Sequence, residues 1–243
     1  MIEKNAIILC SGGLDSVVTS YYTKKHLKYK NLIILFFDYC QRALKQEIYF
    51  SRKTAEKLKA DFLVISLKEL KKLSSSSLTN KSKIKEISLE KLKDLSREIS
   101  EYYVPCRNTI FLSYAMALAE FLFIKTKKKF DIIVGFKNEG REHYPDTTPQ
   151  YLRQIDKLSS ISTKGKFRIL APLINKDKED IVLIGKKLGV NFKETYSCYF
   201  GEEKHCGICL NCRLRQEAFY WANILDETEY SKKAKDYRNS IIS

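Results

Sequence analysis

Short apolar runs recur along the chain at Ala6–Leu9, Leu32–Phe37, Phe62–Ile65 and Asp131–Val134, the first ending in a Ser-Gly-Gly turn and the last closed by Gly135. Apolar runs of four to six residues bounded by turn signals predict strands of a parallel sheet buried on both faces. The intervening stretches Ser16–His26 and Leu44–Leu58 read as helices, and Asn108–Ile124 as a long apolar helix with Asn108 as its N-cap. Further on, Phe167–Leu170 predicts a short strand, Lys178–Leu188 a helix stopped by Gly189, and Leu210 to about Leu225 a closing helix. Strands alternating with helices predict right-handed βαβ units. The expected fold is therefore α/β: a Rossmann-like parallel five-stranded sheet with helices on both faces.

Lys68–Ser100 breaks this alternation. Ser74–Ser77 is followed by a Lys/Glu-rich stretch, which reads as an insertion made of a loop and then an exposed helix. The expected organisation is an α/β domain over residues 1–190, with 68–100 inserted, and a small C-terminal subdomain over 191–243. The most apolar stretch, Ile110–Ile124, has 15 residues and carries Glu120, so a buried core helix is expected and no membrane partner. Met1–Asn5 leads directly into a strand-like run, so no secretory signal is expected.

The chain has 44 Lys and Arg against 29 Asp and Glu, a net charge of +15. Such a surface attracts polyanions, but nucleic acid, ATP and pyrophosphate all qualify. Runs such as Lys127–Lys129 fall between predicted elements, where solvated charge is ordinary, and nucleic acid is not the expected partner. Seven cysteines, an odd number, point to the reducing cytoplasm.

Two motifs carry chemistry. The first is Cys10-Ser11-Gly12-Gly13-Leu14-Asp15-Ser16, a glycine turn between a predicted strand and a helix. There, backbone N–H groups and the helix N-terminus can cradle a phosphate, with Ser11 and Ser16 adding hydroxyl donors. Asp15 is out of place beside phosphate unless it holds Mg²⁺ or a helix N–H. The motif is neither a Walker A loop nor GxGxxG. The second motif is Cys198-x7-Cys206-x2-Cys209-x2-Cys212. Four thiolates in close pairs suit a closed, structural Zn²⁺ site. A redox pair and an iron–sulfur cluster are the rivals, and His205 could replace one thiolate.

Ser11-Gly12-Gly13-Leu14-Asp15-Ser16 resembles the pyrophosphate loop of the ATP pyrophosphatases in the adenine nucleotide alpha-hydrolase superfamily. The cysteine region, with Arg215-Gln216-Glu217-Ala218-Phe219 after it, is similar to that of the 7-cyano-7-deazaguanine synthase (QueC) family. Phe37-Asp38-Tyr39-Cys40-Gln41-Arg42, Val104-Pro105-Cys106-Arg107-Asn108, Tyr144-Pro145-Asp146 and Ala171-Pro172-Leu173-Ile174 with Lys178 resemble further stretches of that family, in order. The resemblance implies an ATP-dependent ligase that turns a 7-carboxy-7-deazaguanine into the nitrile with ammonia, through acyl-adenylate and amide intermediates. It implies ATP with Mg²⁺ on Cys10–Ser16, one structural Zn²⁺ on the four cysteines, and catalytic roles for Asp15 and Arg107. It also implies substrate contacts from Tyr39, Gln41, Arg42, Arg107, Asn108, Tyr144 and Asp146. Arg107 has a forked guanidinium that matches phosphate or carboxylate; a structural ion pair ahead of the long helix is the alternative. The implied partners are a small deazapurine acid, ATP and ammonia, with a homodimer left open.

The departures from the family cluster on the substrate side. Cys40 and Cys106 stand where the family usually has Gly, Ala43 where it has His, and Thr147-Thr148 where it has Cys-Arg. Lys137 and Gly140-Arg141-Glu142-His143 replace its usual residues. Cys40 and Cys106 are expected as small buried apolar groups, with pairing or nucleophilic roles as alternatives. Three rival functions remain: a paralogue that passes the activated acid to another amine, even on a protein; a tRNA thiolation enzyme; and a nucleotide-binding protein without turnover.

Overall fold

The computed structural model describes residues 3–80, 87, 100–137 and 144–231. Five strands, β1 (Asn5–Leu9), β2 (Asn31–Asp38), β3 (Asp61–Ser66), β4 (Phe130–Val134) and β5 (Ile169–Leu170), form one sheet in the order β3-β2-β1-β4-β5. All four pairings are parallel. Six α-helices are described: α1 (Leu14–Lys25), α2 (Leu44–Leu58), α3 (Arg107–Thr126), α4 (Pro149–Ser162), α5 (Lys178–Lys187) and α6 (Leu210–Trp221).

Strands β1, β2 and β4 are buried on both sides because they are apolar at successive positions, whereas β3, expected to be buried as well, is an edge strand with Leu63 and Val64 exposed. In β1, Ala6 and Ile8 enter a core with Val17, Val18, Ala55, Val182 and Phe219 from α1, α2, α5 and α6. Ile7 points the other way, into a core with Leu112, Ala115, Ala119 and Ile155 from α3 and α4. The chain runs from β1 outward through β2 to β3, then crosses back to β4 on the other side of β1. In a doubly wound sheet this reversal opens a crevice at the carboxyl ends of the two diverging strands. Leu9 of β1 pairs with Val134 of β4 at that crevice, and the glycine loop and Gly135 follow directly.

Several boundaries differ from expectation. Asn108 is not the cap of α3. The helix starts at Arg107, after Cys106 at φ 53°. Asp146 does the capping from outside, its Oδ2 accepting the Asn108 backbone N–H at 3.2 Å. α3 has 20 residues, and only its inner stripe is buried; Tyr114, Phe121 and Ile124 are exposed. It is long and apolar enough to cross a bilayer, yet it packs on β4 as one of the sheet's covers. α6 ends at Trp221, short of Leu225. α4 has no counterpart in the sequence reading.

The described part of the 68–100 segment is more anchored than a loop should be. Lys68–Leu73 is a 3₁₀ turn with Leu70 buried, and Ser76, Thr79 and Ile87 are buried too. The expected exposed helix falls largely on residues 81–86 and 88–99, outside the described residues, as do Gly140, Arg141, Glu142 and His143.

Candidate active site

The glycine loop is held from three sides. Ser51 Oγ of α2 donates to the Cys10 carbonyl at 2.9 Å, Tyr196 N–H to the Gly12 carbonyl at 2.8 Å, and Ser16 Oγ to the Gly13 carbonyl at 3.0 Å. Gly12 sits at φ 74°, and a Cβ there would lie 2.9 Å from the Glu47 carbonyl oxygen. Across the crevice, a Cβ on Gly135 would lie 3.0 Å from Ser16 Cα. Ser11, Leu14, Asp15 and Ser16 surround the start of α1, whose unpaired N–H groups and positive end favour an anion. Cys10 is buried under the loop, and burial pushes its thiol up, so it stays protonated. Asp15 Oδ2 is 3.6 Å from Lys178 Nζ at the start of α5. Asp15 Oδ1 is buried without a hydrogen-bond partner. A bound cation would satisfy that oxygen.

Two joined cavities, of about 330 and 160 Å³, open from this loop. Ser11, Asp15, Ser16, Glu47, Gly135, Tyr199 and Asn211 line both. The larger cavity also takes in Tyr39, Gln41, Arg42, Arg107, Asn108, Tyr144 and Lys178. The structure thus brings the glycine loop together with every proposed substrate contact except Asp146. Asp146 lies behind the wall, its two oxygens taken by the backbone N–H and side-chain amide of Asn108, at 3.2 and 3.1 Å.

Each remaining residue has a definable place. Arg107 Nη1 donates to Tyr39 Oη at 3.3 Å, and its guanidinium lies over the Tyr39 ring. Its described hydrogen bond is therefore to a phenol, and burial pushes that phenol's pKa up. Gln41 is spent internally: its Oε1 accepts from Tyr39 N–H at 2.9 Å, and its Nε2 donates to the Phe37 carbonyl and to Glu47 Oε2. Arg42 stacks over Phe200, and Tyr144 stacks on Tyr103 with centroids 5.9 Å apart. Cys40 and Cys106 are not the buried apolar groups expected. Cys40 is half-buried and Cys106 exposed, at φ 61° and 53°. Both adopt the left-handed backbone that favours glycine, which accounts for glycine being usual at these positions.

Glu47 was missed. It sits in the first turn of α2, where a carboxylate looks like an ordinary helix-surface residue. Burial pushes its carboxyl up, against the Gln41 hydrogen bond and the charge of Arg107. Only its place in the folded crevice, lining both cavities with the glycine loop, distinguishes it.

The four cysteines converge, with all sulfurs within 4.8 Å of one another and all four residues buried. Cys206 and Cys212 sulfurs are 3.9 Å apart. A tetrahedral centre with metal–sulfur bonds of about 2.3 Å has S–S edges of about 3.8 Å, so the group could hold a metal. Backbone N–H groups of Phe200 and Cys206 point at Cys198 Sγ, and those of Ile208 and Cys209 at Cys206 Sγ, as thiolates require. The other cysteines, Cys206 foremost, hold the Cys198 thiol far below its usual range, while those of Cys209 and Cys212 are raised. The Cys206 thiol is lowered as well, so two protons leave readily and a cation would be needed to displace the last two. His205 replaces none of the thiolates. Its Nε2 accepts Ser197 N–H at 2.9 Å, and burial, then Arg215, lowers its imidazole to about 4. The knuckle carries Tyr199, Leu210, Asn211 and Leu214 into the cavity wall. Ile87 packs on it, exchanging backbone hydrogen bonds with Ile208 and the Arg213 side chain.

A sequence model of the queuosine biosynthesis protein QueC matches residues 5–223. The 7-cyano-7-deazaguanine synthase of Methanosphaera stadtmanae is 37% identical over 235 residues, covering 95% of this chain and 100% of that protein. That of Methanobrevibacter smithii is 34% identical over 236 residues, covering 96% and 100%. Among solved structures, NMN synthetase from Francisella tularensis aligns at TM-score 0.43 and 16% identity over 93% of this chain and 79% of that one. The match covers both the glycine loop and the cysteine knuckle, and the chain belongs to the QueC family.

Proposed function

We propose that the protein is a nitrile synthase acting on 7-carboxy-7-deazaguanine. The carboxylate attacks ATP, giving an acyl adenylate and pyrophosphate. Ammonia displaces AMP to give the amide, and a second ATP activates the amide oxygen, whose loss as AMP gives the nitrile. The observation that carries the reading is the placement of the glycine loop, the unpartnered Asp15 Oδ1 and Arg107 in one joined cavity.

On this reading, the loop N–H groups and Ser11 and Ser16 hold the ATP phosphates in line with the attacking oxygen. Lys178 offsets negative charge where pyrophosphate leaves. Mg²⁺ on Asp15 would neutralise phosphate charge. Arg107 presents its fork to the acid and releases its Tyr39 contact to do so. Tyr144 forms an aromatic wall for the base. Zn²⁺ on the four cysteines would be structural, because protein would fill all four positions, and it would hold the knuckle that carries Tyr199, Leu210, Asn211 and Leu214 against the cavity. Seven free thiols, four of them in that centre, suit the reducing cytoplasm.

The test is product analysis by mass spectrometry with Mg²⁺-ATP, 7-carboxy-7-deazaguanine and ammonium. Nitrile is expected. Amide that accumulates without nitrile, or mass added to a protein, points to a different acceptor, and absence of AMP overturns the proposal.

A further inference from the structure

The reaction needs a base that the established motifs do not supply. At neutral pH the nitrogen donor is mostly ammonium. The attacking species must be neutral, and its nitrogen carries a surplus proton once bonded to carbon. Arg107 and Lys178 are cations and cannot take it. The Cys10 thiol lies under the glycine loop, and Asp15 faces Lys178.

Glu47 is placed for the task. It lines both cavities, between the phosphate loop and Arg107. Its Oε2 is fixed by Gln41 Nε2 at 2.9 Å, and Gln41 is itself clamped to the backbone of Phe37 and Tyr39. The carboxylate is thus oriented by the carboxyl end of β2 rather than by a flexible side chain. We infer that Glu47 is the catalytic residue that binds ammonium in the cavity and accepts the proton of the attacking nitrogen. This rests on the nitrile-synthase reading and adds the base to it.

The proton balance is complete. The first proton passes from ammonium to solvent through Glu47. The nitrogen lone pair then forms the C–N bond, the C–O bond to AMP breaks with its electron pair, and the surplus N–H proton goes to Glu47. Glu47 returns each proton to solvent between steps. In the second cycle it takes one N–H proton as the amide oxygen attacks ATP to give the adenylated imidate, and then the remaining N–H proton as AMP departs and the C≡N bond closes. Burial raises the carboxyl, which makes it a stronger base than an exposed glutamate.

The experiment compares wild type with E47Q in two assays. Acid-dependent ATP–pyrophosphate exchange, without ammonium, reports the first activation. Amide and nitrile formation with ammonium reports nitrogen transfer. Gln can accept the Gln41 hydrogen bond, so the brace survives while the basicity is lost. Exchange is expected to stay within about threefold, while ammonium-dependent product falls by roughly 10²-fold or more. Hydroxylamine, which is neutral at the same pH, is expected to restore acyl transfer. Ammonium-dependent rates within about threefold of wild type overturn the inference, and so does an equal loss of exchange and transfer, which marks a structural brace. If wild type itself shows no acid-dependent exchange, the failure lies with the nitrile-synthase reading instead.

Discussion

Replacing Gly12 with Ala strains the phosphate loop twice. The residue sits at φ 74°, where an L side chain costs about 1–2 kcal/mol. The new Cβ would also meet the Glu47 carbonyl oxygen and Phe50 Cβ at 2.9 Å and Ser51 N at 3.0 Å. Two of these are α2 backbone atoms that cannot rotate away, and overpacking of this kind costs about 1–3 kcal/mol. The sum is about 2–5 kcal/mol. Gly13 is the internal control, with φ −73° and a nearest neighbour, Ser11 Oγ, at 3.3 Å. G13A should cost about 1 kcal/mol or less, mainly through poorer N-capping. In urea unfolding of metal-replete protein, G12A should lower the midpoint by about 1 M, with the slope unchanged, and G13A by a small fraction of that. Equal midpoints for G12A and wild type, or equal losses in the two variants, would refute the loop geometry.

Three further outcomes follow from the site. R107K keeps the charge but loses the fork, so kcat/KM for the acid should fall by about 10²-fold while the KM for ATP changes little, as steady-state kinetics would show. C209S removes one of the four buried sulfurs that would hold the proposed Zn²⁺; colorimetric titration should find less than one Zn²⁺ per chain, and the melting temperature should drop by several degrees. D226N leaves Arg215 buried with a weaker partner at 3.3 Å and should cost about 3–5 kcal/mol at pH 7. Burial raises the Asp226 carboxyl, but Arg215 and hydrogen bonds from Thr228 and Tyr230 hold it below its usual value. Its stabilisation is therefore fully present above the ordinary carboxylate range and lost as pH falls through the depressed value. The gap in unfolding free energy between wild type and D226N should be full at neutral pH and close in acid.

What the sequence made legible was local. The inner strands were readable because both of their faces are covered, so their apolar runs are continuous, while the equally apolar β3 is an exposed edge; the glycine loop and the cysteines were readable because each motif is contiguous. α4 was missed although Thr148-Pro149 is a helix start: Thr148 Oγ1 accepts Tyr151 N–H at 3.0 Å, and Pro149 follows as the first helical residue. Its apolar stripe, Tyr151, Leu152 and Ile155 with the small Ser159, is too thin to stand out from neighbouring polar residues. Asn108 looked like a cap because caps are usually local, whereas Asp146 supplies this one across 38 residues. Glu47 and the inward use of Gln41 were illegible for the same reason, since both depend on where β2 and α2 bring their ends. The left-handed backbone at Cys40 and Cys106 could be read only from the fold.

Isotope tracing tests directly whether a carboxylate oxygen is transferred to AMP. With 7-carboxy-7-deazaguanine labelled with ¹⁸O in both carboxyl oxygens, two AMP per nitrile, each carrying one ¹⁸O, and unlabelled pyrophosphate are expected. Label in inorganic phosphate with ADP as the nucleotide product, or AMP without label, would contradict that transfer.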